Sequence, residues 1–135
     1  MADSFATYAA LRNQGLLSHE ASDTHFRVER HFFIALMAKR IENLKFDEAW
    51  YLAKYPDVRD AVKRGIVRSA REHYVLYGYY EHRMPTAILV NDRWYLEQYP
   101  DVAEAMRRGV YKSAQAHFDA AGFREGRMPY PNFKL

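Results

Sequence analysis

A stretch of this sequence occurs twice, and the duplication constrains the fold more than any other feature. The shared residues of the first occurrence are Trp50, Tyr51, Leu52, Tyr55, Pro56, Asp57, Val58, Ala61, Arg64, Gly65, Ser69, Ala70, His73, Gly78, Glu81, Arg83, Met84 and Pro85. The matching residues of the second are Trp94, Tyr95, Leu96, Tyr99, Pro100, Asp101, Val102, Ala105, Arg108, Gly109, Ser113, Ala114, His117, Gly122, Glu125, Arg127, Met128 and Pro129. Most are residue types that cap helices, end them or fill cores, so the duplication predicts an architecture and names no substrate.

Each repeat predicts three short helices. Asp47 caps the first helix, which ends before Pro56 because proline lacks the N–H that a helix interior needs. Asp57 is either the N-cap or a first-turn acid of the second helix, from Val58 to Arg64, and Gly65 ends it. Ser69 caps the third. The second repeat carries the same signals, with asparagine in place of the first aspartate.

Four shared glycines mark the predicted helix ends. Gly65 and Gly109 follow the second helix of each repeat, and Gly78 and Gly122 follow the third. A residue just past a helix end often adopts a left-handed conformation, which glycine takes without steric cost. We therefore expect all four to have positive φ.

Residues 1–45 lie outside the duplication and predict two more helices. Ser4 or Asp3 caps the first, which ends at Gly15. The second is longer, from about Ser22 or Asp23 to Leu44, and carries apolar residues at helical spacing.

This long helix predicts a protein interface. Its apolar residues extend beyond the roughly 100° stripe that a surface helix needs. We expect contact with a partner, most simply a second chain in a homodimer, through Phe26, Phe32, Phe33, Met37 and Ile41.

These elements predict an all-α fold. Residues 1–45 form an N-terminal helical segment with one long helix, residues 46–89 form repeat 1, and residues 90–135 form repeat 2. The two pseudo-symmetric three-helix repeats are expected to pack on the N-terminal segment as one compact domain.

Composition limits the classes of partner and of chemistry that we expect for this chain. The net charge of +3 is small, and acidic and basic residues are mixed along the chain, so no nucleic-acid partner is expected. The absence of cysteine removes any disulfide or thiolate chemistry. No run approaches the roughly 20 apolar residues of a membrane span, and the N-terminal residues lack the pattern of a secretory signal. We expect a cytoplasmic protein without membrane insertion, cofactor or metal.

His73 and His117 are the first candidates for chemistry, because each repeat places one histidine in its third helix. They could act as a general base or as ligands of a shared metal ion. The alternative is a core histidine that hydrogen-bonds within the fold. No two-histidine helix face with a nearby glutamate occurs in the sequence, so we expect the structural role.

The second candidate is a set of one aspartate, one glutamate and one arginine in each repeat. These residues are Asp57, Glu81 and Arg83, with Asp101, Glu125 and Arg127. The arginine could clamp an anionic ligand, or it could fasten the extended tail of its repeat through charge-assisted hydrogen bonds. We expect fastening.

The third candidate is a pair of adjacent aromatic residues, Trp50 and Tyr51 in repeat 1 and Trp94 and Tyr95 in repeat 2. Such side chains can stack on sugars or anchor a partner protein, or they can fill a core. Adjacent helical positions point about 100° apart, so we expect one residue of each pair inside and the other partly exposed.

The repeat resembles a tandem helical repeat of bacterial proteins that reads YLxxNPDV, then HY, then GxxEGRxP. Here it has Tyr55 and Tyr99 where that repeat has asparagine, and His82 where it has glycine. Such repeats occur beside glycosyltransferase or polysaccharide-related domains and in surface proteins. The resemblance implies a partner in glycan or cell-envelope synthesis and no catalytic residue.

We therefore expect a non-enzymatic adaptor or accessory protein. A carbohydrate-binding module is the alternative, and an enzyme with a site at the repeat interface is a second one. Exposed apolar surface on the long helix favours the adaptor, an open aromatic groove the carbohydrate module, and convergent buried polar groups in an enclosed pocket the enzyme.

Overall fold

The computed structural model describes residues 7–19 and 24–135. This part of the chain is mostly helical, with one two-stranded sheet. Contacts divide the chain into two units, Met1–Glu42 and Asn43–Leu135. No helix within the described ranges is both long enough and apolar enough to cross a bilayer.

The first unit begins with helix α1, Tyr8–Asn13, which is capped by the Thr7 hydroxyl. Gly15 ends the turn after it with a φ of 71°. The predicted caps at Asp3 and Ser4 lie outside the described residues.

A short antiparallel hairpin, which the sequence pattern does not predict, follows α1. Strand β1, Leu17–His19, pairs with β2, Phe26–Val28, with Leu17 opposite Val28. The described residues remain mostly helical, in agreement with the predicted all-α class, and this hairpin is an addition to it. Each strand has only three residues, too few for an alternating pattern to stand out in the sequence.

Helix α2 spans Arg30–Ile41 and is shorter than predicted. The Glu29 carboxylate caps it by accepting the N–H groups of His31 and Phe32 at 3.0 and 2.9 Å. A start near Ser22 or Asp23, both outside the described residues, is wrong because residues 26–28 pair as a strand. Phe26 therefore lies on β2 and does not share a helical face with Phe33.

Repeat 1 contains three helical segments that pack on one another. They are α3, Glu48–Lys54; α4, Pro56–Lys63; and α5, Ala70–His73, which continues into a π-helical turn, Tyr74–Gly78. Tyr51, Val58, Ala70 and Tyr74 are buried among them. The predicted caps are confirmed, since Asp47 accepts the Trp50 N–H and Ser69 accepts the Glu72 N–H.

Repeat 2 has corresponding segments. They are α6, Asp92–Gln98; α7, Pro100–Arg107; and α8, Ala114–His117, with its π-helical turn, Phe118–Gly122. The buried residues are Tyr95, Val102, Ala114 and Phe118. Met84 and Ile88, from the segment that joins the repeats, belong to the same core.

The tail of each repeat returns to the start of that repeat. The Asp47 N–H donates to the Pro85 carbonyl at 3.1 Å, and the Asn91 N–H donates to the Pro129 carbonyl at 2.9 Å. Both prolines are fully buried. The extended tails are therefore part of the packed structure.

The glycine prediction is half right. Gly65 and Gly109 have φ values of 68° and 75°, as expected. Gly78 and Gly122 lie inside the π-helical turns and are not among the residues with positive φ. The left-handed residue comes four positions later in each repeat.

That left-handed position is His82 in repeat 1 and Gly126 in repeat 2, with φ of 58° and 73°. Any residue with a Cβ is disfavoured there, although histidine is less disfavoured than most. Repeat 2 thus has the conformationally easier residue.

Candidate functional site

Arg83 fastens the tail of repeat 1. Its Nη1 and Nη2 atoms donate to the two Asp57 carboxylate oxygens at 3.0 and 2.8 Å, and Nε donates to Glu81 at 2.6 Å. The guanidinium carbon lies 4.9 Å from the centre of the Tyr55 ring. The Tyr55 hydroxyl in turn accepts the Met84 N–H at 2.9 Å. We call these five residues the Arg83 cluster.

Repeat 2 builds the same arrangement around Arg127, the Arg127 cluster. The two Asp101 oxygens accept at 2.8 and 2.7 Å, and Glu125 accepts from Nε at 2.6 Å. The guanidinium lies 4.9 Å from the Tyr99 ring centre, and the Tyr99 hydroxyl accepts the Met128 N–H.

The electrostatics of both clusters agree with a structural role. Hydrogen bonds from Arg83 and Arg127 hold the pKa values of Asp57 and Asp101 below their usual range. The arginine side chains are only 20% and 21% exposed. The N–H groups that could clamp a ligand already bind carboxylates of the same repeat. This geometry supports tail fastening over ligand binding.

His73 and His117 each hydrogen-bond a buried tyrosine. His73 Nδ1 lies 3.1 Å from the Tyr51 hydroxyl oxygen, and His117 Nδ1 lies 2.9 Å from that of Tyr95. Burial lowers the pKa of both histidines and raises that of Tyr95 to about 12. Both imidazoles are therefore neutral at neutral pH, and their contacts match the core-histidine alternative.

Gly78 lies against this tyrosine–histidine pair. A Cβ at Gly78 would come 2.2 Å from the Tyr51 hydroxyl oxygen, and one at Gly122 would come 2.3 Å from that of Tyr95. The two glycines are needed for close approach, not for positive φ. The joint recurrence of tyrosine, histidine and glycine was the only sequence signal for this contact.

In each pair of adjacent aromatic residues, one side chain is buried and the other is half-buried, as expected. Tyr51 and Tyr95 are fully buried, so neither ring presents a face to a ligand. Trp50 and Trp94 are half-buried and meet Tyr55 and Tyr99 edge to face. Trp50 also packs against the core of repeat 2.

Two neighbouring clefts involve residues of both repeats. The first, of about 370 Å³, is mainly polar and is lined by Lys54, Tyr55, Glu81, His82, Arg83, Met84, Asp119, Ala120, Phe123 and Arg124. The second, of about 510 Å³, is more aromatic, with Tyr79, Tyr80, Phe123 and Phe133 in its wall. Neither cleft is predictable from the sequence, because the sequence does not show how one repeat lies against the other.

The residues predicted to form an interface on α2 differ in exposure. Phe33 is 43% exposed, Phe32 and Met37 are half-buried, and Ile41 is buried. Leu36, which was not among the predicted interface residues, is 48% exposed. The exposed apolar surface of α2 is therefore centred on Phe33 and Leu36.

Comparison with protein-family models, with curated proteins and with solved structures finds no match for this chain.

Proposed function

We propose that this protein is a non-catalytic adaptor and that α2 carries its protein-binding surface. The observation behind this is the exposure of Phe33 and Leu36, which lie three residues apart and are therefore neighbours on the helix. Contiguous exposed apolar side chains mark candidate surfaces for another protein to cover. In this proposal the two repeats act as a pseudo-symmetric scaffold. The Arg83 cluster and the Arg127 cluster, which have the same geometry, support a structural role for the repeats.

The partner that we propose for this surface is a second copy of the chain, which makes a homodimer. Glu29 lies at the start of α2, and Lys39 and Arg40 lie in its last turn. Two α2 helices packed antiparallel would cover Phe33 and Leu36 against each other. Glu29 of each chain would then lie near Lys39 and Arg40 of the other, which adds charge pairing to the apolar burial.

We propose that the adaptor acts in bacterial polysaccharide or cell-envelope synthesis, and the resemblance of the repeats is what supports this. Its further partner in this proposal is a protein of that machinery, such as a glycosyltransferase, and its location is the cytoplasm. A pull-down from the native bacterium, analysed by mass spectrometry, tests this assignment. Recovery of proteins unrelated to glycan synthesis would contradict it.

Sedimentation analysis tests the interface. Wild-type protein at tens of micromolar should give a species near twice 15.9 kDa. Phe33→Glu with Leu36→Glu should leave monomers, because charges would be buried without partners. Ile66→Glu with Val110→Glu is the matched control, since both residues are exposed and lie in the repeats. A monomeric wild type, or equal dissociation by both variants, would contradict the homodimer.

Carbohydrate binding is the second candidate, supported by the aromatic cleft. Tyr79 and Tyr80 contribute to its wall from repeat 1, and Phe123 and Phe133 from repeat 2. Aromatic faces of this kind stack on sugar rings. Nuclear magnetic resonance titration with neutral oligosaccharides should shift signals of these residues, and unchanged spectra would exclude this candidate.

A further inference from the structure

The polar cleft combines two kinds of residue, and the duplication distinguishes them. Tyr55, Glu81, Arg83 and Met84 belong to the Arg83 cluster, and each has an identical counterpart in repeat 2. The other polar residues of the cleft differ from their counterparts. They are Lys54, matched by Gln98; His82, matched by Gly126; Asp119, matched by Val75; and Arg124, matched by Tyr80. Because the same local fold forms without these four side chains, packing does not explain them.

Two cations in this cleft are available to a ligand. Across residues 7–19 and 24–135, neither Lys54 nor Arg124 forms an ion pair with a carboxylate, and both are exposed. The nearby carboxylates have other donors. Glu81 accepts from Arg83, and Asp119 accepts from the Gln115 side chain at 2.9 Å.

His82 adds an independent observation. It lies on the cleft wall with a φ of 58°, at the position where repeat 2 has glycine. A left-handed conformation is sterically unfavourable for a residue with a Cβ. Such outliers cluster at functional sites, and here the outlier brings an imidazole to a cleft that also holds two free cations.

We propose that this cleft binds a small hydroxylated anion, namely a sugar phosphate or a sugar acid. Lys54 and Arg124 contact the acidic group, since ammonium and guanidinium groups are the usual partners of phosphate and carboxylate. His82 donates a further hydrogen bond to it. Glu81 and Asp119 keep acceptor capacity for ligand hydroxyl groups. A volume of about 370 Å³ suits a ligand of this size.

This cleft shares no residue with α2, so the proposal goes beyond the adaptor function and can fail independently of it. The pKa of Tyr55 gives further support for the cleft geometry. It is raised chiefly by burial, with smaller contributions from the charges of Asp57 and Asp119. Groups from the two repeats thus lie within electrostatic reach of each other across the cleft.

Isothermal titration calorimetry with four probes tests the site. The probes are glucose 6-phosphate, glucuronate, glucose and inorganic phosphate. At least one of the two sugar anions should bind more tightly than both glucose and inorganic phosphate, and the tighter sugar anion identifies the acidic group. Failure of both sugar anions to bind at millimolar concentration, or binding no tighter than that of glucose, would overturn the assignment.

Two variants locate the binding. Lys54→Ala with Arg124→Ala should weaken the sugar anion at least tenfold. Lys63→Ala with Lys112→Ala removes the same charge from exposed positions outside the cleft and should change the Kd less than twofold. Equal weakening by both pairs would show a general charge effect and overturn the proposal.

The His82→Gly variant separates binding from strain. It introduces the residue of repeat 2, so the melting temperature should stay the same or rise while the affinity falls at least threefold. Unchanged affinity would remove His82 from the site.

Discussion

At the scale of single residues, Gly78 provides the sharpest test of the packing. Gly78→Ala would place a Cβ against the buried Tyr51 hydroxyl, so either the Tyr51–His73 hydrogen bond or the π-helical turn must shift. We expect the free energy of unfolding to fall by about 2 to 3 kcal/mol, as for overpacked cores, measured by urea denaturation.

Gly65→Ala is the control for this substitution. No atom lies within 4 Å of its Cβ position, and only its left-handed φ is strained. Its cost should be about 1 kcal/mol. Tyr51→Phe combined with Gly78→Ala should recover part of the loss, because the clashing hydroxyl oxygen is gone. Equal costs for the two alanine variants, or no recovery, would contradict this packing.

The residues that the sequence predicted correctly depend on local interactions. These residues are the caps Asp47 and Ser69 and the left-handed Gly65. Each interacts within about four residues of its own position, so the neighbouring sequence is enough to predict its role. Gly78 was misassigned because its reason is a tyrosine far away in the sequence. A shared glycine has several physical causes, and the pattern alone does not separate them.

At the scale of the elements, the tails depend on their arginines. Arg83→Ala and Arg127→Ala should each lower the free energy of unfolding by about 1 to 2 kcal/mol, since each loses charged hydrogen bonds and packing against a tyrosine. The two losses should be similar because the two clusters have the same geometry. Thermal melting of the single variants measures this.

Arg93→Ala is the control at this scale. Arg93 also bonds a glutamate, Glu97, but its side chain is 91% exposed, so its loss should leave the melting temperature unchanged. If both tail variants melt at the wild-type temperature, the clusters do not fasten the tails, and their arginines become candidates for ligand binding again.

Element boundaries in the first unit were the least predictable from the sequence. Apolar residues at helical spacing run through Phe26, yet residues 26–28 pair with Leu17–His19 as a strand. The start of α2 is set by Glu29, whose cap was not recognised because glutamate is not a preferred N-cap residue. The polar cleft could not be predicted from the sequence for another reason. Lys54 and Arg124 belong to different repeats, and the sequence does not show that both line one cleft.

At the scale of the whole molecule, stability should fall in two steps as the pH is lowered. Burial lowers the pKa of His73 and His117, with a smaller contribution from the charges of Arg83 and Arg127. The unfolded chain therefore binds these protons first, and stability is lost as the pH falls below the ordinary histidine value of 6.5. Asp57 and Asp101, whose pKa values are lowered, add a second loss below about 3.8.

Urea denaturation between pH 7.5 and pH 3 measures both steps. The double variant His73→Asn with His117→Asn should lose the first step and keep the second, because an amide can hydrogen-bond the tyrosine but does not titrate. A first step that persists in this variant would mean that other groups cause it.

The exposed apolar surface of α2 is the feature on which the proposed adaptor function rests. Amide hydrogen exchange at 1 µM and at 100 µM protein compares the free chain with the assembled one. Protection should rise with concentration within residues 30–41 and stay constant in residues 46–135. Exchange that does not depend on concentration anywhere, or that changes only in the repeats, would contradict an interface on α2.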